Sequence, residues 1–341
     1  MEHSVNEATK PVRIAMVGLG WWGRKMVAVL EAAGAHLDVV VAVEPDPAAR
    51  AFCGEHGLAL TTSYEQALAR PDVEAVILAT PHSLHEEQIE KAVAAGKHVF
   101  CEKPLAMTKA GAEKAVELCR KAGLVLGMGH ERRFEPPVAE MLRAAASGKL
   151  GRILQVEANF SHDKFLTLDK SNWRLNAAQA PAAGMTATGI HLTDLAVKLL
   201  GAPRDVRVAC ENLASDFPQG DTLSAHIRFQ GGGTAYVSAT LVTPFVSRFA
   251  VFGTKGWIEV RDKAHVEAPD GWVVTSAWTG MPIEVREVGP AEPVRDNLVA
   301  FAQAVRGTEP YAISGDDMIN NIALLEAIIK SAANGQVVTV G

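Results

Sequence analysis

The chain has 341 residues, 48% of them apolar, and a net charge of −6 from 33 Lys and Arg against 39 Asp and Glu. That is length enough for two domains with a core in each, and the interspersed acidic balance offers no basic stripe for nucleic acid. No apolar run reaches the ~18 residues of a membrane span, the N-terminus lacks the apolar stretch of a signal peptide, and the four cysteines follow no metal-binding or disulfide spacing; no membrane partner, no metal and a cytoplasmic location are expected.

Short apolar runs alternate with helical patterns over the first 125 or so residues, the reading for a parallel sheet covered by helices. Strands are predicted at 13–17, 39–43, 75–79, 98–101 and 125–128, and helices at 23–33, 48–56, 64–69, 84–95 and 109–122. Gly34, Gly57, Gly96 and Gly123 stand just past four of these helices, where glycine accepts a left-handed cap. The repeat predicts an α/β, doubly wound domain over residues 1–128.

The first strand runs into Gly18-Leu19-Gly20-Trp21-Trp22-Gly23, glycines spaced for a tight turn and for close approach of a pyrophosphate to a helix N-terminus. Trp21 and Trp22 can either shield that pyrophosphate or seal a helix–sheet contact. Glu44 ends the second strand, where a carboxylate accepts from an adenosine ribose diol and repels a 2′-phosphate; NAD is therefore favoured over NADP. Thr80, Pro81, His82 and His85 follow another strand end and are candidates to border the nicotinamide ribose. Glu102-Lys103-Pro104 sets a carboxylate and an ammonium side by side at a further strand end, where packing needs neither; Lys103 can bind a reacting oxygen and assist proton transfer.

After His130 the pattern changes. A helix opens at Pro136-Pro137 and runs to about Ser147, and alternation at 154–160 predicts a half-buried strand. Alternation at 223–229 and 235–241 about Gly231-Gly232-Gly233 predicts a hairpin. Helices at 191–200, 294–305 and 316–333 are expected to cover the apolar face of this sheet, giving an α+β domain over residues 129–341 with an open, mostly antiparallel sheet. His191 opens one of those helices after a run of small residues, 182–189, that leaves room for a ligand; imidazole titrates near neutral pH and suits a proton shuttle. Asp194, three residues on, either orients His191 or favours the positive helix start, the second being preferred.

These motifs resemble the glucose-fructose oxidoreductase / inositol dehydrogenase / MocA family of NAD(P)-dependent oxidoreductases, over nearly the whole chain. Ala95-Gly96-Lys97-His98-Val99 with Glu102-Lys103-Pro104 is similar to the family's most specific signature. Gly127-Met128-Gly129-His130, Arg133-Phe134, Asn172-Trp173-Arg174, Gly189-Ile190-His191-Leu192-Thr193-Asp194 and Phe252-Gly253-Thr254-Lys255-Gly256-Trp257 look like its later landmarks. The resemblance implies a Rossmann domain, catalysis in a cleft beside it by Lys103 and His191, and homodimers or homotetramers formed through the open sheet. It fits the polar row Ser224, His226, Arg228, Thr234 and Tyr236. Where many members carry an aspartate four residues before the histidine, this chain has Ala187; either Lys103 and His191 suffice, or Asp163, Asp169 or Asp194 substitutes from elsewhere. The reaction expected is hydride transfer between nicotinamide and a secondary carbinol of a sugar, cyclic polyol or dihydrodiol. Trp173, Arg174 and Thr188, with Asn172, His162 and Lys164 as weaker candidates, are expected at the substrate. Alternatives are an NAD-recycling enzyme that cleaves or epimerises glycosides and a nucleotide-sensing regulator.

Overall fold

The structure, a computed structural model, describes residues 10–266 and 268–341. It divides into two compact units, one of residues up to Glu131 with Val294–Ile319, the other of Arg132–Pro293 with Asn320–Gly341.

The first unit contains β1 (Val12–Val17), α1 (Trp21–Ala32), β2 (Leu37–Val43), α2 (Ala49–Glu55), β3 (Leu60–Thr61), α3 (Tyr64–Leu68), β4 (Ala75–Leu78), α4 (His85–Ala94), β5 (His98–Cys101), α5 (Lys109–Ala122) and β6 (Leu126–Met128). All strand pairs are parallel, in the order β3-β2-β1-β4-β5-β6. Every residue of β4 is buried, as a central strand covered on both faces requires. The sheet reverses direction of winding between β1 and β4, so the carboxyl ends of β1, β2, β4 and β5 open onto one ligand-receiving edge. Gly57, Gly96 and Gly123 adopt φ of +63°, +70° and +68° as expected of helix stops. Gly34 departs from that expectation: Ala33 caps α1 at φ −97°, and Gly34 does not enter the left-handed region.

The second unit contains α6 (Pro136–Ala146), β7 (Ile153–Ser161), α7 (Ile190–Leu200), β8 (Pro203–Glu211), β9 (Thr222–Phe229), β10 (Thr234–Thr240), β11 (Val246–Gly253), β12 (Gly256–Asp262), β13 (Trp272–Trp278) and β14 (Glu284–Val288). With β15 (Val338–Thr339) these strands form one sheet of nine, in the order β14-β13-β12-β11-β7-β10-β9-β8-β15. It is antiparallel except where β7 pairs parallel with β10. The hairpin lies at β9–β10, with Ala235 opposite Ile227 and Tyr236 opposite His226.

Two further helices correct the expected division at residue 128/129. The α8 helix (Pro293–Val305) belongs almost wholly to the first unit, and α9 (Gly315–Asn334) passes from the first to the second after Ile319. The helix expected to cover the antiparallel sheet instead sends Leu298, Phe301 and Ala302 into the core of the parallel one, beside Ile14, Met16 and Phe100. Phe301 meets Phe100 edge-on at 5.6 Å and Tyr311 at 6.5 Å. A side chain at Gly127 would stand 2.7 Å from both phenyl rings, so this packing has no slack. The helical period of an amphipathic segment specifies that it buries a face, not which sheet receives it.

Phe301→Ala should therefore destabilise the nucleotide-side unit by about 3–5 kcal/mol, read as a lowered urea midpoint for its unfolding.

Candidate functional site

The glycine loop is shaped by contacts only glycine permits. Gly18 has φ +92°, and a Cβ there would stand 2.7 Å from the Ala79 carbonyl oxygen. Gly23 lies so close to the Gly18 carbonyl that any side chain would collide with it. Around Gly20, the extended residue that caps α1, the Cβ position is open, leaving a backbone face accessible to a ligand. With no acidic residue in its first turn, α1 presents uncompensated N–H groups and the positive end of its dipole. Arg24 braces the loop by donating its Nε–H to the Leu19 carbonyl at 2.9 Å. These residues fit a dinucleotide pyrophosphate.

Glu44, at the end of β2, accepts the Leu19 N–H at 2.7 Å through Oε2 and the Asp46 N–H at 3.1 Å through Oε1. Its carboxylate is thereby fixed against the glycine loop, with lone pairs to spare for a ribose diol. Trp21 is 55% exposed, whereas Trp22 packs against the core and beneath the Lys25 ammonium at 5.5 Å. Of the two, Trp22 is the one packed at the helix–sheet contact.

Past β4, Thr80 donates to Gln88 Oε1 at 2.6 Å, Pro81 is exposed, and half-buried His82 starts a short 3₁₀ turn. His85 does not border a ligand as expected. It is fully buried, with Nδ1 2.8 Å from the Pro104 carbonyl oxygen and Nε2 3.0 Å from that of Thr80. Burial pushes its pKa down, and the nearby Lys103 ammonium adds to this. This histidine ties the loop after β4 to the segment after β5.

Lys103, half-buried, leaves the end of β5 and joins Pro104 through a cis peptide. Glu102 beside it is buried, and a side chain at Gly129 would stand 2.6 Å from its carboxyl. Desolvation pushes the Glu102 pKa up to about 7, and the carboxyl of buried Glu131 adds to it. The Lys103 ammonium, the Trp22 indole N–H and the Lys103 backbone N–H pull the other way. Glu131 carries no periodic or motif signal in the sequence that marks it as Glu102's neighbour.

In the second unit the small-residue run forms a π-helical turn, Met185–Gly189, that leads directly into α7. Such turns are rare and are frequently found at functional sites. Ala182 and Ala183, at φ +60° and +48°, enter it through the left-handed region that non-glycine residues seldom adopt. A side chain on Gly189 would meet Met185 Sδ at 2.5 Å. The turn places Thr188 and His191 as buried side chains one turn apart; Thr188 donates to the Gly184 carbonyl at 3.0 Å.

Asp194 has a partner that its sequence neighbourhood does not show. It forms a buried bidentate pair with Arg133, both oxygens at 2.7 Å from guanidinium nitrogens. Asp169 accepts from the Ser171 N–H and hydroxyl at 2.8 and 2.6 Å, and Asp163 is exposed. Asp169 and Asp194 are therefore committed elsewhere. His162 is enclosed by Phe160, Phe165 and His265. Burial, with the Lys164 charge behind it, pushes its pKa down to about 4, as for a neutral core imidazole; Lys164 itself stands 3.0 Å from His265 Nδ1. Trp173 and Arg174 lie in a 3₁₀ turn capped by the Asn172 side chain, with the guanidinium 4.5 Å above the indole. Among the described residues no group of three His, Cys, Asp or Glu is arranged to hold a metal.

Glu102 makes stability depend on pH. Folded, it keeps its proton to about pH 7, against an ordinary value of 4.5; its contribution is full below pH 4.5 and is lost as pH rises through 7. Urea unfolding of wild type between those limits should show a falling contribution of roughly 1.4 kcal/mol per pH unit at steepest, absent from Glu102→Gln.

The chain matches the oxidoreductase family with an NAD-binding Rossmann fold over residues 12–130 and the GFO/IDH/MocA C-terminal domain over residues 138–259. It is similar to 1,5-anhydro-D-fructose reductase of Ensifer adhaerens, at 32% identity over 84% of this chain and 86% of that protein. D-xylose 1-dehydrogenase (NADP(+)) 2 of Haloferax volcanii is 26% identical, over 95% of this chain and 98% of its own. Among solved structures, aldose-aldose oxidoreductase from Caulobacter crescentus superposes with a TM-score of 0.85 at 26% identity, over 96% of this chain and 99% of that one. Levoglucosan dehydrogenase in complex with NADH and L-sorbose shares the fold, with a TM-score of 0.85 at 22% identity over 97% and 99%. The glycine loop, the Glu102-Lys103-Pro104 strand end and the His191 helix are thus features of a chain that belongs to the GFO/IDH/MocA family of oxidoreductases.

Proposed function

We propose that this oxidoreductase is a dehydrogenase that moves a hydride between NAD and a secondary CH–OH carbon of a sugar-like compound. The observation that carries this reading is Lys103, half-buried at the carboxyl end of β5, on the sheet edge from which β1 extends its open glycine loop. A bound nicotinamide supplies the acceptor for the two electrons and the carbinol hydrogen. Gly18, Gly20 and the first turn of α1 hold the dinucleotide's pyrophosphate, and Glu44 takes its ribose diol. The Lys103 ammonium donates to the reacting oxygen and favours the developing alkoxide. His191 accepts the hydroxyl proton on a ring nitrogen and returns it in the reverse direction. With Ala187 in place of an acid, Lys103 and His191 carry this chemistry without a third member. Sugar-like substrates are supported by the names of the relatives, which act on anhydrofructose and xylose. NAD is supported by the fixed Glu44 carboxylate, although the xylose dehydrogenase is named for NADP.

The reading includes a cytoplasmic setting, in keeping with four free thiols and, among the described residues, no helix long and apolar enough to cross a membrane. It also includes a homodimer or homotetramer formed through the outer face of the nine-stranded sheet. There His226 and Tyr236 stack at 4.8 Å, and Tyr236 is 49% exposed. Glu157, Arg207, Ser224 and Arg248 line the same shallow depression of about 690 Å³.

Absorbance at the NADH band, with NAD⁺ and a panel of aldoses, polyols and dihydrodiols, should reveal turnover. Lys103→Ala should lower kcat/KM by about 10³-fold while NADH binding stays within a few-fold; Glu44→Ser should move the NAD/NADP preference at least tenfold toward NADP. No turnover with any compound, or turnover indifferent to Lys103, sinks the reading. Tyr236→Arg should reduce the mass measured by light scattering to that of a single chain; an unchanged oligomer removes this face as the interface.

A further inference from the structure

The Glu102 carboxyl is where the segments after β1, β5 and β6 of the first unit meet. It is buried and lies against Gly129, where a Cβ would stand 2.6 Å from Oε2 and 2.7 Å from Oε1. The Lys103 N–H points to Oε2 at 3.3 Å. From the first turn of α1 the Trp22 indole N–H acts on the same carboxyl, although Nε1 is buried without an aligned hydrogen bond among the described residues. Glu131, also buried, lies two residues past Gly129 and repels the charge of Glu102. Two carboxyls withdrawn from water into one site do not both ionise readily, because each charge raises the cost of the other.

Other titratable groups around this point hold a fixed charge. Burial and the Glu102 charge push the Cys101 thiol well above its ordinary range, so it keeps its proton. Burial, with the Lys103 charge behind it, pushes His85 down and keeps its ring neutral. His130, buried, stands between Gly129 and Glu131 in the chain. The group that changes charge beside the Lys103 ammonium near neutral pH is the Glu102 carboxyl, pushed up to about 7 by burial and by Glu131. Glu102 is thus a positioning residue that acts on the reaction through Lys103.

We propose that Glu102 and Glu131 form a buried acid pair that sets how strongly the Lys103 ammonium acts on the reacting oxygen. While Glu102 holds its proton, the full field of the ammonium reaches the developing alkoxide. Once that proton leaves for solvent, the adjacent carboxylate offsets the ammonium. The coupling is reciprocal: the Lys103 charge makes Glu102 easier to ionise, so an ionised Glu102 must weaken Lys103 as an electrophile. Oxidation of the carbinol therefore declines as pH rises through about 7. That sign is opposite to the rise expected as His191 becomes free to accept a proton. The catalytic effect rests on the dehydrogenase reading, whereas the acid pair itself does not.

The test measures kcat/KM for oxidation from about pH 5.5 to about pH 9 in wild type, Glu102→Gln and Glu131→Gln. Glutamine keeps the shape of protonated Glu102 and has no proton to lose in this range. The ratio of Glu102→Gln to wild type should rise by about tenfold or more with pH, the effect of one unit charge at close range. In Glu131→Gln the decline should begin at lower pH than in wild type, because the charge that holds the Glu102 proton is gone. A packing role alone predicts a ratio that does not vary with pH. That result, or a decline unmoved in Glu131→Gln, overturns the proposal. In parallel, the infrared band of protonated carboxyl groups is followed over the same range in the protein without cofactor or substrate. A band that titrates near pH 7 in wild type and is missing from Glu102→Gln, without turnover of any compound, supports the acid pair while removing the dehydrogenase reading. Turnover with no such band does the reverse. The Glu131→Gln profile and the wild-type band decide the matter even where Glu102→Gln does not fold.

Discussion

The buried pair of Arg133 and Asp194 fixes the helix that carries His191. Both groups are almost wholly out of water, at 4% and 1% exposure, and each oxygen of the carboxylate receives a guanidinium N–H at 2.7 Å. Burying two charges costs several kcal/mol apiece, and only such bidentate geometry offsets it. Once formed, it is unforgiving: rotation or sliding of α7 leaves two uncompensated charges. Its neighbour Arg132 reaches instead to Glu135, Asp262 and Ser247 and lies over the Phe160 ring. Two successive arginines thus pin a helix and two strands from a single turn of chain, and His191 inherits its position from them.

On the nucleotide side the governing constraint is the absence of space. Gly18 and Gly23 exist where backbone passes backbone, and Glu44 is held by the amide of Leu19 between them. The acidic residue that discriminates the ribose and the loop that receives the phosphates are therefore one rigid piece. Glu102 follows a different logic. Its neighbour Lys103 lowers its pKa, but burial beside Glu131 raises it by more, to about 7, so the carboxyl beside the lysine titrates near neutral pH. Functional regions commonly hold groups perturbed in this way.

Much of this was legible in the order of residues. The strand–glycine–helix punctuation, the alternation across β9 and β10, and the strand-end positions of Glu44, Glu102 and Lys103 all follow from local rules of period and backbone freedom. What escaped is non-local. Nothing near Asp194 in sequence says that it serves Arg133, 61 residues earlier; nothing near His85 says that both its ring nitrogens face backbone carbonyls. The segment 294–305 reads as an amphipathic helix, but its period does not say which sheet receives it; Phe301 goes beside Phe100, where Gly127 leaves room for both rings.

That helix has a consequence for how the chain is made and remade. Because Val294–Ile319 completes the nucleotide-side unit, this unit lacks Leu298, Phe301 and Ala302 until most of the polypeptide has left the ribosome. Its apolar surface around Phe100 waits through the synthesis of β7 to β14, all of the nine-stranded sheet but its last strand. The same topology governs recombination: exchanging cofactor domains between relatives at one junction would separate Phe301 from its partners, and moving the whole nucleotide-side unit takes three crossovers, near residues 131, 294 and 319.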